Sequence, residues 1–103
     1  MIDKDKVLDT VLERLKGLPD GHYLDLRTYK RNRSVMIVKQ GSDHLLVIQN
    51  GYERNRYRIK TGKLSRLMKT LLKKEFPRSN KIRLYTLGPF EESEALNLKR
   101  KIL

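Results

Sequence analysis

The chain has 103 residues, 24 of them Lys or Arg against 12 Asp or Glu, giving a formal net charge of +12, and it contains no cysteine. That length holds one domain with a modest core and no large active-site cavity, and the missing cysteine excludes disulfides and thiolate metal sites. The longest apolar run is four residues, far short of the ~20 that span a bilayer, and the N-terminus enters an amphipathic pattern directly, without signal-peptide character; the expectation is a cytoplasmic protein with no membrane partner.

In chain order, Val7, Leu8, Val11, Leu12 and Leu15 fall on one helical face and predict a helix over residues 4–16. Asp3 or Asp5 is a candidate cap, and Gly17 with Pro19 stops the helix. Four strands are expected next. His22–Tyr29 alternates Leu24 and Leu26 with Tyr23, Asp25 and Arg27. Ser34–Gln40 and His44–Asn50 carry the apolar runs Val35–Val38 and Leu45–Ile48, joined by a Gly41-Ser42-Asp43 turn. Arg54–Lys60 sets Tyr57 and Ile59 among basic residues. Short connections make an antiparallel meander the economical topology.

Thr61 is the expected cap of a second helix over residues 62–76, with Leu64, Leu67, Met68, Leu71 and Leu72 as its apolar stripe and Pro77 as its stop. Lys81–Leu87 reads as a fifth strand, ended by Gly88-Pro89. A last helix is expected over Glu91–Leu103, acidic at its start and basic at its end as the helix dipole favours. The order α-β-β-β-β-α-β-(α) is an α+β fold of helices on an antiparallel meander: one domain over residues 1–90, with 91–103 packing on it or mediating dimerisation. The central strands are apolar on both faces, so a second cover is needed, either this C-terminal segment or the second copy of a homodimer.

The charge is unevenly placed. Residues 1–21 carry a net −1, residues 22–90 a net +13, and residues 91–103 cancel. Self-repulsion of this size is most simply explained by a polyanionic partner; a generic solubility surface is the plainer alternative. The sequence Tyr-x-Arg-Asn-Arg occurs twice, at Tyr29–Arg33 and Tyr52–Arg56, each before a strand. First and third turns of a meander share an end of the sheet and lie roughly 10 Å apart. Lys30, Arg31, Arg33, Arg54 and Arg56 are therefore expected on one rim, with Tyr29 and Tyr52 placed to stack unpaired bases and Lys73, Lys74 and Arg78 returning toward it.

Arg54, Arg56, Arg58 and Lys60 alternate with period two and share a strand face, and Lys63, Arg66, Lys69, Lys73 and Lys74 form the basic side of the second helix. Arginine suits bidentate phosphate contact; edge-strand protection and Asn-Arg turn chemistry are the structural alternatives. His22 and His44 have no metal-ligand spacing, and the acids of the basic region, Asp25, Asp43, Glu53 and Glu75, stand singly. No phosphate loop, dinucleotide fingerprint or nucleophile elbow is present.

The element order resembles the double-stranded-RNA-binding domain, and a basic meander with a helix is similar to small single-strand-binding transcription coactivators. The ribonucleoprotein aromatic motif, the Gly-x-x-Gly clamp and zinc-finger spacings are absent. The expectation is a non-catalytic nucleic-acid-binding module, for DNA or RNA, with limited sequence preference and no cofactor or metal. The competing expectations are a protein-interaction module docking on an acidic partner and, further off, a metal-dependent nuclease around Asp25, Glu53 and His22.

Overall fold

The structure, a computed structural model, describes residues 2–28, 33–41, 43–51, 53–77 and 80–90. Its elements are β1 (Ile2–Asp3), α1 (Lys4–Gly17), β2 (His22–Arg27), β3 (Ser34–Lys39), β4 (His44–Asn50), β5 (Arg54–Lys60), a 3-10 turn (Thr61–Lys63), α2 (Leu64–Glu75) and β6 (Lys81–Pro89). They form an α+β fold with one six-stranded antiparallel sheet in the order β1-β6-β2-β3-β4-β5. The expected meander is β2 to β5. The expected fifth strand, β6, lies on the other side of β2, reached by α2 crossing over the sheet, and β1 completes that edge by pairing Ile2 with Ile82 and Asp3 with Lys81.

Strand alternation divides the side chains between two faces. Leu24 and Leu26 of β2, Val35 and Ile37 of β3, Leu45 and Val47 of β4 and Ile82 of β6 share one face. Both helices pack there, through Val7, Val11 and Leu15 of α1 and Leu64, Met68, Leu71 and Leu72 of α2, followed by Phe76. The opposite face carries Tyr23, Met36, Val38, Leu46 and Ile48, with Leu87 and Phe90 against them. Met36 is only 1% exposed, so this second cluster is a true core layer. Phe90 is fixed over it by its N–H donating to Gly21 O at 2.8 Å and by an edge-to-face contact with Tyr23, ring centroids 5.0 Å apart. The helix expected at 91–103 lies outside the described residues.

Three local expectations are corrected. Thr61 opens the 3-10 turn instead of capping α2, whose N-cap position is Lys63, with no side-chain cap bond. Asp3 holds the N-cap position of α1 but makes no cap bond either; it is paired with Lys81 at 3.2 Å. Gly88-Pro89 does not end the last strand: a register shift lets His22 face Pro89 while Tyr23 faces Leu87. A bulge of this kind tolerates proline at a strand end.

The C-terminal ends of both helices are sealed by distant lysines. Lys39 Nζ donates to Leu15 O at 2.7 Å in the last turn of α1, and Lys4 Nζ donates to Phe76 O at 2.5 Å just past α2. A cation here adds a donor at the helix end, where Leu15 O also accepts from the Leu18 N–H at 3.3 Å, and meets the negative pole of the dipole. Replacing Lys39 with Met keeps the aliphatic stem and removes the donor. The expected loss is about 1 kcal/mol, read from the urea midpoint at unchanged m-value.

Candidate nucleic-acid interface

The β2–β3 connection and the β4–β5 turn lie at the same end of the sheet, as the meander argument requires: Ser34 faces Asn50, and Asn50 faces Arg54. A Cβ built on Gly51 would lie 3.0 Å from Cβ and Cγ of Arg33, so the two segments touch. The C-terminal end of α2 also arrives here. Lys74 Nζ stands 3.3 Å from Glu53 Oε2, and Arg33 donates from its NH1 nitrogen to Glu75 O at 3.2 Å. Tyr29, Lys30, Arg31, Tyr52 and Arg78, expected on this rim, lie outside the described residues.

The centre of this end is a buried carboxylate. Glu75 is completely buried, and its Oε1 accepts from Gln49 Nε2 and from the backbone N–H of Glu53, each at 3.3 Å. Gln49, 1% exposed, in turn accepts at Oε1 from Tyr57 O–H at 3.0 Å and Asn55 Nδ2 at 3.4 Å. The network ties β4, β5, their turn and α2 together. It also shows what the second repeat does locally: Asn55 is bonded inward to Gln49 and to Glu53, which is turn chemistry. Arg33 likewise directs a donor at the helix end. None of this network is expected from the sequence. Its one legible signal is an acid in the last turn of an otherwise basic helix, where the dipole disfavours it.

Arg54, Arg56, Arg58 and Lys60 are exposed on an edge strand. They lie on the face away from the helices, opposite Asn50, Ile48, Leu46 and His44 in turn. Same-face positions repeat every ~6.7 Å, so the four cations span roughly 20 Å. Lys63, Arg66, Lys69, Lys73 and Lys74 are all exposed on the side of α2 turned from the core. The expected continuity of helix and rim therefore holds at the α2 C-terminus, through Lys74. It does not hold along the strand, because ladder and helix lie on opposite sides of the sheet. Among the described residues Arg54, Arg58, Lys60, Lys63, Arg66, Lys69 and Lys73 make no ion pair.

The candidate nuclease residues do not converge. His22 begins β2, at the end of the sheet away from Glu53. Asp25 is 1% exposed in the middle of β2, where Arg27 Nε donates to its Oδ2 at 2.7 Å. Among the described residues there is no group of three or more His, Asp or Glu side chains placed to hold a metal, and no helix long and apolar enough to cross a membrane. No family model, curated protein or solved structure matches the chain.

Gly51 gives the test of the buried network. A methyl group there would overlap Glu75 Oε2 and press on Arg33. Gly51→Ala is expected to cost about 1–3 kcal/mol, the usual range for overpacking. In a Glu75→Ala background, which vacates that space, the same change should cost clearly less. Additive losses in this double-mutant cycle, measured by chemical unfolding, would contradict the assigned contact.

Proposed function

We propose that the chain is a non-catalytic nucleic-acid-binding module that contacts phosphates through the β5 ladder, with α2 supplying a second basic surface. The observation that carries this reading is the lack of compensation. Residues 54–75 hold nine basic side chains and a single acid, and that acid, Glu75, is buried. Exposed cations normally stand near acids that lower their mutual repulsion. Here the one acid within the stretch is withdrawn into the interior and Glu53, just before it, is taken up by Lys74, so Arg54, Arg58, Lys60, Lys63, Arg66, Lys69 and Lys73 are left as a field of one sign facing solvent.

A ladder roughly 20 Å long lies beside about six base-pair steps of duplex at ~3.4 Å each, or a comparable run of single strand. Edge-strand protection accounts for charge on β5, but it gives no reason for five further cations on α2 and the turn before it, which have no edge to protect. Arg33 and Asn55, engaged within the fold, are scaffolding for the rim; Arg54, Arg58 and Lys60 are its contacts, with Arg56 beside them.

The test is anisotropy titration with labelled single- and double-stranded DNA and RNA over a salt series. Engagement of the four ladder cations alone predicts a log–log slope near −3.6 on duplex DNA, from about −0.9 per phosphate, and a steeper one if α2 takes part. Arg54→Glu with Arg58→Glu should weaken binding equally across sequences and flatten the slope by roughly two. Absence of binding at ~50 mM salt, or unchanged affinity in the double variant, would remove the reading and leave an acidic protein surface as the partner to seek.

A further inference from the structure

The β5 ladder ends in a cleft. At the Lys60 end lies a hollow of about 430 Å3 lined by Gln40, His44, Leu45, Arg58, Ile59 and Lys60. Its surroundings are held by backbone bonds. Gln40 N–H donates to His44 O at 2.9 Å, closing the β3–β4 hairpin, and Thr61 N–H donates to Asp43 O at 3.1 Å, fastening the start of the 3-10 turn to that hairpin. Gly41, at φ 96°, gives the hairpin its left-handed corner.

The lining has a definite chemistry. His44 and Lys60 are cross-strand partners, and Arg58 lies one same-face step away, opposite Leu46. Three nitrogen-bearing side chains therefore rise on one face around the hollow. None of the six lining residues is acidic, and neither Arg58 nor Lys60 has an ion-pair partner among the described residues. Leu45 and Ile59 also border the hollow, with their side chains turned to the helix-side core. The volume lies within the ~300–1,000 Å3 of small-ligand sites, enough for one nucleotide and too little for a continuing helix.

We propose that this cleft holds the terminal, phosphorylated nucleotide of a strand whose backbone follows the ladder, with His44, Arg58 and Lys60 on its phosphomonoester. The inference rests on the nucleic-acid reading and narrows it to a chain end. Two features favour an end over an internal position. The ladder stops here, where the chain turns out of the sheet after Lys60. A terminal phosphate also carries about −1.5 to −2 charge and three acceptor oxygens, matching three donor side chains better than a singly charged diester does. Free nucleoside monophosphate presents the same chemistry, so the experiment separates the two sources.

Short labelled single strands ending in 5′-phosphate, in 3′-phosphate or in hydroxyl at both ends are compared by anisotropy on the full chain. One phosphorylated form should bind roughly ten-fold tighter than the hydroxyl-ended strand, the worth of one charge-assisted contact. That preference should collapse in His44→Ala, an exposed position whose variant is checked for native stability by thermal melting. Equal affinity of all three strands would overturn the cleft assignment while leaving the ladder reading intact. If no strand binds, the ladder reading falls, and AMP titration followed by NMR decides the cleft. Shifts at His44 larger than those from equal inorganic phosphate would keep it as a mononucleotide site. Equal shifts mean an adventitious ion only, and equal or absent shifts overturn it.

Discussion

The organisation of this protein depends on a carboxylate placed where electrostatics disfavours it. Glu75 sits in the last turn of α2, at the negative end of the helix dipole, and is removed from water altogether. Such a group is tolerated only when donors replace its hydration. Here the donors include Gln49 and the Glu53 N–H, one from a strand and one from a turn. Satisfying the carboxylate therefore joins β4 and its turn to a helix end more than twenty residues away. It also requires position 51 to have no side chain, and Arg33 closes the site by bonding the Glu75 carbonyl. A hydrophobic residue at 75 could fill the space without joining anything.

The same acid shapes the outer surface by its absence from it. Two periodicities, two for β5 and about 3.6 for α2, sort the basic side chains outward on both sides of the sheet, while the apolar residues between them turn inward. Tyr57 and Ile59 pack against the helix-side core and leave the arginines between them exposed. The positive surface is thus a by-product of how the core is filled, and it is held in register by the core. This differs from a disordered basic tail, in which charge has no fixed spacing.

Much of the fold was legible in the residues, for identifiable reasons. β4 and β5 fall at the expected bounds because turn residues flank strong strand patterns. The shared end of the two repeats followed from antiparallel geometry alone. What escaped prediction was non-local. Two residues cannot announce a strand, so β1 is visible only through its pairing with β6. The place of β6 beside β2 depends on where a crossover lands, about which its own alternation of Ile82 and Leu84 is silent. Pro89 reads as a breaker until a bulge makes room for it. The lysine seals act at a sequence separation of 24 for Lys39 and 72 for Lys4, beyond any local pattern. In the candidate site, the cations and their alternation were readable. The division between two sides of the sheet was not, because it depends on which face the helices choose.

The position of β6 has a consequence for how the molecule comes into being. This strand is inserted between β1 and β2, so the first strand of the chain has no partner until one of the last is in place. During synthesis the hairpins β2 to β5 can close as they emerge, by contacts near in sequence. The edge of β2 meanwhile waits with open backbone donors and acceptors. Pairing this distant is entropically slow to reach. The sheet can therefore be completed only once β6 has been carried back to the open edge of β2, and α2 is the element that spans that return.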